Sequence, residues 1–299
     1  MNVYLKLMRV DQYLKNIMVL LPLLFGGQLF VEGKALPALI GTGLFCIVSS
    51  AVYIMNDIAD ADNDAKNPAK CDRPIASGKV KKNVAIAMCV TFAVGSVILT
   101  YVLLSPLAAL WIGIYFVMNI FYSMGLKNII VVDVAMIVAG FVIRVFYGSI
   151  ITDIDVSKWL YVMIACLLTF TTVGKRINEK RRMDRNGICI RKVLLKCSEK
   201  TLSICLYLAL ILLNITYIIW IVDIIPYCDT NPLWTIPIMI IFSWKSFVII
   251  ENNTTDKDPL PLFIKDTMWV LALILLISSI VSTFYVDVPF INDGIEVFK

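Results

Sequence analysis

The sequence predicts an all-α membrane protein, a bundle of nine transmembrane helices. Three observations predict it. Mean hydropathy is +0.84, and 60% of the 299 residues are hydrophobic against 16% charged, a balance that soluble domains do not show. Apolar runs long enough to cross a bilayer recur along the whole chain. Lys and Arg collect in alternate loops between those runs, as they do in polytopic membrane proteins.

The first run, 17–32, follows Lys6, Arg9 and Lys15. No small-x-small cleavage pattern comes after it and eight more runs follow, so it reads as a retained helix and not as a leader. The second, 36–55, opens into a highly charged stretch. Runs at 84–104, 106–124 and 130–151 follow, the last with Arg144 inside it. The run at 159–174 leads into a very basic loop, and those at 201–222, 233–250 and 268–286 complete the set. Nine spans leave little chain for a soluble domain, so residues 1–299 are expected to form a single domain.

With the N-terminus in the cytoplasm, all but four of the 27 Lys and Arg residues fall on the cytoplasmic side, counting Lys245 near the cytoplasmic end of the run 233–250. Lys34, Lys158 and Lys299 are opposite and Arg144 lies within a span. The asymmetry sets the direction: N-terminus and the long polar loops inside, C-terminus outside. A net charge of +5 on this topology implies attraction to anionic lipid or phosphorylated substrates, not to nucleic acid. The chain contains no histidine, which excludes His triads, His metal ligands and an imidazole proton shuttle. Its eight cysteines form no C-x-x-C and read as small apolar filler.

One stretch stands apart. NDIADADNDAKNPAKCDRPIASG, residues 56–78, places Asp57, Asp60, Asp62, Asp64 and Asp72 beside Lys66, Lys70 and Arg73. If the second span continues as a helix, Asp57, Asp60 and Asp64 stack within about 60° of arc, while Asp62 points away. Three stacked carboxylates repel unless a cation sits among them. Without His or paired thiolates the natural guest is a hard divalent ion, Mg²⁺ above all, which keeps waters and binds substrate phosphates. A calcium loop fails, because Ala65 stands at the glycine turn position and Cys71 at the glutamate position. Lys70 and Arg73 just downstream suit a phosphate held against the metal. A solvated acidic loop is the bland alternative.

N-D-x-x-D-x-x-x-D followed by R-P-I-x-S-G resembles the first aspartate-rich motif of the UbiA-type intramembrane prenyltransferase superfamily. The resemblance implies nine transmembrane helices around a lipid-accessible cavity whose polar mouth, on the cytoplasmic side, binds Mg²⁺-diphosphate. Most members carry a second aspartate-rich motif after the sixth span. Here that place reads FTTVGKRINEKRRMDRNG, with Lys175, Arg176 and Glu179 in the expected acidic positions. RVDQYLKN (9–16), YSMGLKNIIVVD (122–133), GFVIRVFYG (140–148), the K-R-x-x-E segment and DPLPLFIKD (258–266) resemble the decaprenyl-phosphate phosphoribosyltransferase branch. Val10, Tyr13, Cys197 and Lys245 depart from its pattern.

What that branch implies is transfer of 5-phosphoribose from phosphoribosyl diphosphate (PRPP) to a polyprenyl phosphate, in a prokaryotic cell membrane, for envelope biogenesis. Asp57, Asp60 and Asp64 would hold Mg²⁺ against the leaving diphosphate. Asn56 would orient a ribose hydroxyl or a metal-bound water. Lys70, Arg73, Tyr122 and Lys127 would grip the donor's phosphates. Arg9, Gln12 and Asn16, on one face at α-helical spacing, and Lys15 would take the lipid phosphate or the donor. Topology and snorkelling are the plainer reading of Lys15. Lys175 and Arg176, oriented by Glu179, would take the remaining phosphate.

Arg144 lies mid-span, where an unpaired charge costs about 2.5 kcal/mol or more, so it must face the bundle interior. Asp133 is about 20° away on the same helical face but about 16 Å along the axis, leaving room for a substrate phosphate or water between them. Satisfaction of Arg144 by protein groups alone is the competing reading. For the whole chain two rivals stand beside the phosphoribosyltransferase: a prenyltransferase acting on an aromatic acceptor, and a lipid or ion transporter. The basic K-R-x-x-E segment argues against the first, and the lack of visible inverted repeats against the second. The sequence is compatible with an oligomer.

Overall fold

The computed structural model describes residues 2–66, 70–186, 192–228, 231–252, 263 and 265–285. The helices among them are α1 (Val3–Met8), a 3-10 helix (Val10–Leu20), α2 (Leu21–Phe25), α3 (Ala35–Ala65), α4 (Lys82–Leu103), α5 (Pro106–Met124), α6 (Ile130–Thr152), α7 (Lys158–Asn186), α8 (Glu199–Ile224), α9 (Ile236–Glu251) and α10 (Thr267–Tyr285). Eight segments, α3 to α10 with α9 extended by the 3-10 turn Pro232–Thr235, are long and apolar enough to cross a membrane. Each matches an expected span, most ends agreeing within three residues.

The ninth expected span, 17–32, is not a continuous helix. The 3-10 helix runs into the five-residue α2, with Pro22 in its first turn, and turns occupy 26–34. Gly27 and Gly33 adopt φ +66° and +82° there, values that break a right-handed helix. Average hydropathy does not register such a break.

The chain divides into two compact units. The first comprises residues 1–127 and 140–155, the second 128–139 and 156–299, so α6 contributes to both. In the first unit α3 is central and packs against the 3-10 helix, α4 and α5. Phe45, Val48 and Val52 of α3 meet Ile112 and Tyr115 of α5 and Ile143, Tyr147 and Ile151 of α6 in one apolar core. In the second unit α7 packs along α8, α8 against α9, and α9 against α10, around Phe170, Ile177, Leu206, Phe247 and Ile250. Val90, Val94 and Ile98 of α4 and Ile204, Leu208 and Ile211 of α8 are exposed, as expected of faces turned to lipid.

Two helices outrun the bilayer. At 31 residues, α3 is about 46 Å long against a hydrocarbon thickness of about 30 Å. Its apolar run therefore extends, still helical, into the charged stretch and carries Asp57, Asp60 and Asp64 beyond it. Likewise the 29-residue α7 carries Lys175 to Arg185 on its polar turns.

The 3-10 helix is tied down closely. Gly148 of α6 lies against the backbone of Val19, and a Cβ added there would overlap the Val19 carbonyl. Because backbone cannot rotate away, Gly148→Ala is expected to destabilise the protein by about 1–3 kcal/mol, seen as a lower thermal midpoint in detergent. Gly43→Ala, where an added Cβ meets nothing, serves as the neutral control.

Candidate active site

The acidic face of α3 is assembled with arginines. Asp57 and Asp64 are buried at 2% and 3% exposure. Arg9 Nη2 donates to Asp57 Oδ1 at 2.5 Å. Arg73 Nη1 donates to both carboxylates, to Asp57 Oδ1 at 3.2 Å and Asp64 Oδ2 at 2.6 Å, and Lys70 Nζ lies 3.7 Å from Asp64 Oδ1. Asp60 is half-buried and Asp62 exposed, as the helical register requires.

Local chain geometry delivers these cations. R-P-I-x-S-G forms a compact turn set: Arg73 N donates to Lys70 O, Ser77 Oγ to Arg73 O and Val80 N to Pro74 O, at 3.0, 2.8 and 2.9 Å. Gly78 supplies φ +71°. Ile75 and Val80 anchor the turns in an apolar cluster with Leu7, Ala51 and Ile54, which returns Arg73 to the helix. On the other side Arg9 sits at the C-terminus of α1 in the left-handed region, φ 52°, with its guanidinium 5.0 Å from the Tyr53 ring. Lys6 Nζ ties α1 to the same loop through Asp72 O at 3.2 Å.

The remaining expected residues of this unit are dispersed. Asn56 accepts a hydrogen bond from Ser123 Oγ of α5. Tyr122 is half-buried on α5. Lys127 belongs to a short 3-10 turn, Leu126–Asn128, and its side chain lies outside the described residues, as do 258–262 and 264 of the DPLPLFIKD run. Gln12 Nε2 donates to Asp11 Oδ2 at 2.6 Å, and Lys15 is exposed.

The expectation that Arg9, Gln12 and Asn16 share a face is not met. A 3-10 helix turns about 120° per residue, not 100°, so Gln12 and Lys15 align while Asn16 aligns with Tyr13 and Val19. Asn16 is accordingly buried. Its Oδ1 accepts from Arg144 Nε at 2.9 Å and Ser49 Oγ at 3.2 Å, and its Nδ2 donates to Cys46 Sγ at 3.2 Å.

Arg144 and Asp133 likewise have separate partners. Arg144 donates to Asn16, to Gly140 O at 2.7 Å and to the Tyr115 hydroxyl at 2.9 Å. In the second unit Arg176 Nε donates to Asp133 Oδ2 at 2.8 Å and Arg176 Nη1 to Glu179 Oε2 at 2.7 Å. Asp133 and Arg176 are 0% and 1% exposed. Lys175 is exposed on α7. Sequence reasoning missed Asp133 as the partner of Arg176. It also missed Arg181, which binds Glu199 Oε1 at 2.7 Å, Glu251 Oε1 at 3.1 Å and the Glu251 carbonyl at 2.8 Å, tying the polar end of α7 to α8 and α9.

Donor chemistry at the α3 cluster suits Mg²⁺. The donors are carboxylate oxygens, and two of them already share one cationic nitrogen of Arg73. Among the described residues no three Asp, Glu or Cys side chains gather tightly enough to enclose an ion. The three aspartates expected around one ion are thus not drawn into a single cage: Asp57 and Asp64 close on Arg73 instead, and Mg²⁺, which takes one or two carboxylates and completes its shell with water and substrate phosphate, would have to displace that contact.

Eight membrane-length helical segments, with two buried aspartates paired to part-exposed arginines near the end of one of them, define a multi-pass membrane protein with a charged site. The chain belongs to the UbiA prenyltransferase family, a family of transferases, which matches residues 19–270. It is 31% identical over 219 residues to the decaprenyl-phosphate phosphoribosyltransferase of Corynebacterium glutamicum, covering 72% of this chain and 66% of the relative. It is 34% identical over 196 residues to the protein of the same name from Mycobacterium tuberculosis, covering 63% of this chain and 64% of the relative. The chain thus spans just under two thirds of the length of these relatives. A solved structure of a UbiA homolog from Archaeoglobus fulgidus bound to DMAPP and Mg²⁺ shares the fold, with a TM-score of 0.70 at 15% identity over 95% of this chain and 99% of that one.

Proposed function

We propose that this protein transfers 5-phosphoribose from PRPP to a polyprenyl phosphate, releasing diphosphate, with Mg²⁺ as the required ion. The observation that carries the reading is the part-buried Asp57–Arg73–Asp64 arrangement, with Arg9 and Lys70 beside it. It combines acid for a metal with cations for phosphate oxygens. The names of the relatives support the choice of phosphoribosyl as the group transferred and of a polyprenyl phosphate as acceptor.

In this reading Asp57, Asp60 and Asp64 would hold Mg²⁺, and the ion would supply charge neutralisation for the diphosphate. Arg73, Lys70 and Arg9 bind diphosphate oxygens as charge develops on them, with Asn56, Tyr122 and Lys127 around the donor. The C1–O bond of PRPP breaks with its electron pair leaving on the diphosphate. An oxygen of the lipid phosphate forms the new bond to C1. That oxygen is already anionic, so no general base is needed, which accords with a chain lacking histidine. Lys15 and Gln12 share the 3-10 face proposed for the lipid phosphate, and Lys175, exposed on α7, is proposed as a phosphate ligand of the second unit. Arg176, clamped by Asp133 and Glu179, stiffens the helix that carries Lys175. The Lys and Arg asymmetry supports an orientation with the N-terminus and these loops in the cytoplasm, and the bacterial relatives support a prokaryotic cell membrane.

The test is transfer of label. Membranes containing the protein, incubated with PRPP labelled in the ribose, Mg²⁺ and a panel of polyprenyl phosphates, are expected to move label into the organic phase, and EDTA to stop it. No transfer from PRPP, together with transfer from a prenyl diphosphate to an aromatic acid, would replace this reading by a prenyltransferase.

A further inference from the structure

The 3-10 helix at Val10–Leu20 has 11 residues. Such helices seldom exceed three or four residues, because their hydrogen bonds are poorer than those of an α-helix. Something outside the segment must hold it overwound. Its burial repeats every third residue: Asn16 and Val19 are buried, while Asp11, Leu14 and Ile17 are exposed. Each member of the inward row is fastened. The Tyr13 hydroxyl pairs with Ser50 Oγ at 2.8 Å, Asn16 is held by Arg144, Ser49 and Cys46, and Val19 lies against Gly148.

Arg144 is the unusual partner. It is 4% exposed, lies within a membrane span, and makes no ion pair among the described residues. Instead the rings of Tyr115, Phe45 and Phe141 stand 4.9, 5.0 and 5.1 Å from its guanidinium carbon. Three of its N–H groups go to Asn16, Gly140 O and Tyr115. A charge kept at this cost, stacked among rings and spent on neutral acceptors, is one whose geometry is needed.

We infer that Arg144 is a positioning residue. Through Asn16 it keeps the 3-10 helix overwound and thereby sets the direction of Arg9, which reaches Asp57 from the N-terminal end of the same segment. Relaxation to an α-helix changes the rotation by about 20° per residue, so across the seven residues from Arg9 to Asn16 it would swing Arg9 by about 140°. Arg9 itself sits in a left-handed conformation, which a non-glycine residue holds only when its surroundings impose it. As a role in transfer the inference rests on the proposed function; as a statement about the segment it does not.

Hydrogen exchange on the ligand-free, full-length protein in nanodiscs separates the two. Arg144→Met is expected to raise exchange of the Val10–Leu20 amides by about tenfold or more while α8 and α9 stay unchanged. Asn16→Ala should match it, and the double variant should add nothing further. Arg144→Lys should resemble Arg144→Met, because a lysine ammonium cannot reproduce the planar guanidinium fork. In the transfer assay, Arg144→Met should lower kcat and kcat/KM for PRPP together with little change in KM, the signature of a displaced group that acts as charge develops on the leaving diphosphate. Should Arg144→Met fail to fold, Tyr115→Phe keeps the charge, removes one acceptor and should loosen the same amides to a smaller extent. Unchanged exchange at Val10–Leu20 in these variants, or full rescue by lysine, overturns the inference. Absence of transfer in the wild type would instead count against the functional reading and leave the exchange pattern intact.

Discussion

Asp57→Asn is expected to lower transfer by on the order of 10³-fold, the several kcal/mol of transition-state stabilisation that a Lewis-acid ion contributes. The substitution is nearly isosteric, so the effect is chemical. The buried Asp57 carboxylate is the one that both Arg9 and Arg73 touch, at 2.5 and 3.2 Å. An amide binds Mg²⁺ more weakly and leaves two guanidinium groups facing each other without the anion between them. Tighter binding of diphosphate without metal is a side effect to look for, since freed arginines attract the same oxygens. Asp62→Asn, on the exposed side of the same helix, should leave transfer within twofold. Steady-state rates and metal titrations on the two variants check both statements.

Arg176→Met is expected to act first on stability. Arg176 lies between Asp133 and Glu179 at 2.8 and 2.7 Å, and all three are buried. Removing one partner of a buried ion pair typically costs about 3–5 kcal/mol, because the charge left behind loses its compensation. Thermal unfolding in detergent should fall accordingly. Asp133→Asn combined with Glu179→Gln and Arg176→Met should recover much of that loss, since neutral groups of similar shape do not carry the same penalty. Recovery of stability without full recovery of transfer would show that the network also orients α7. No loss in Arg176→Met would mean the three side chains contribute little as a network.

The two expected results draw on different parts of the molecule, and these parts were unequally legible in the sequence. The eight spans followed from hydropathy because lipid requires long uninterrupted apolar helices. The stacked aspartates followed from helical register once α3 was taken to outrun the bilayer. What register could not supply was the partner. Arg73 and Asp57 are 16 residues apart, Asp133 and Arg176 43, and Asn16 and Arg144 128. Pairings over such distances depend on packing that no local pattern encodes. The first span failed for a different reason: Pro22, Gly27 and Gly33 break an apolar stretch that averaging reads as continuous. The same stretch hid the change from 3.6 to 3.0 residues per turn, and with it the burial of Asn16. Its mid-span position marks Arg144 as an interior charge, but its aromatic and amide surroundings form only when α3, α5 and α6 are packed together.

The central claim is that the α3 cluster accepts diphosphate as phosphoribose passes to a lipid phosphate, and the stoichiometry of a single assay tests it most directly. Purified protein with Mg²⁺, PRPP labelled in the ribose and decaprenyl phosphate should release one diphosphate for each labelled lipid formed, with neither product appearing when the lipid is omitted or Asp57 is replaced by Asn. Diphosphate released from PRPP without labelled lipid, or released only from a prenyl diphosphate in the presence of an aromatic acid, would contradict it.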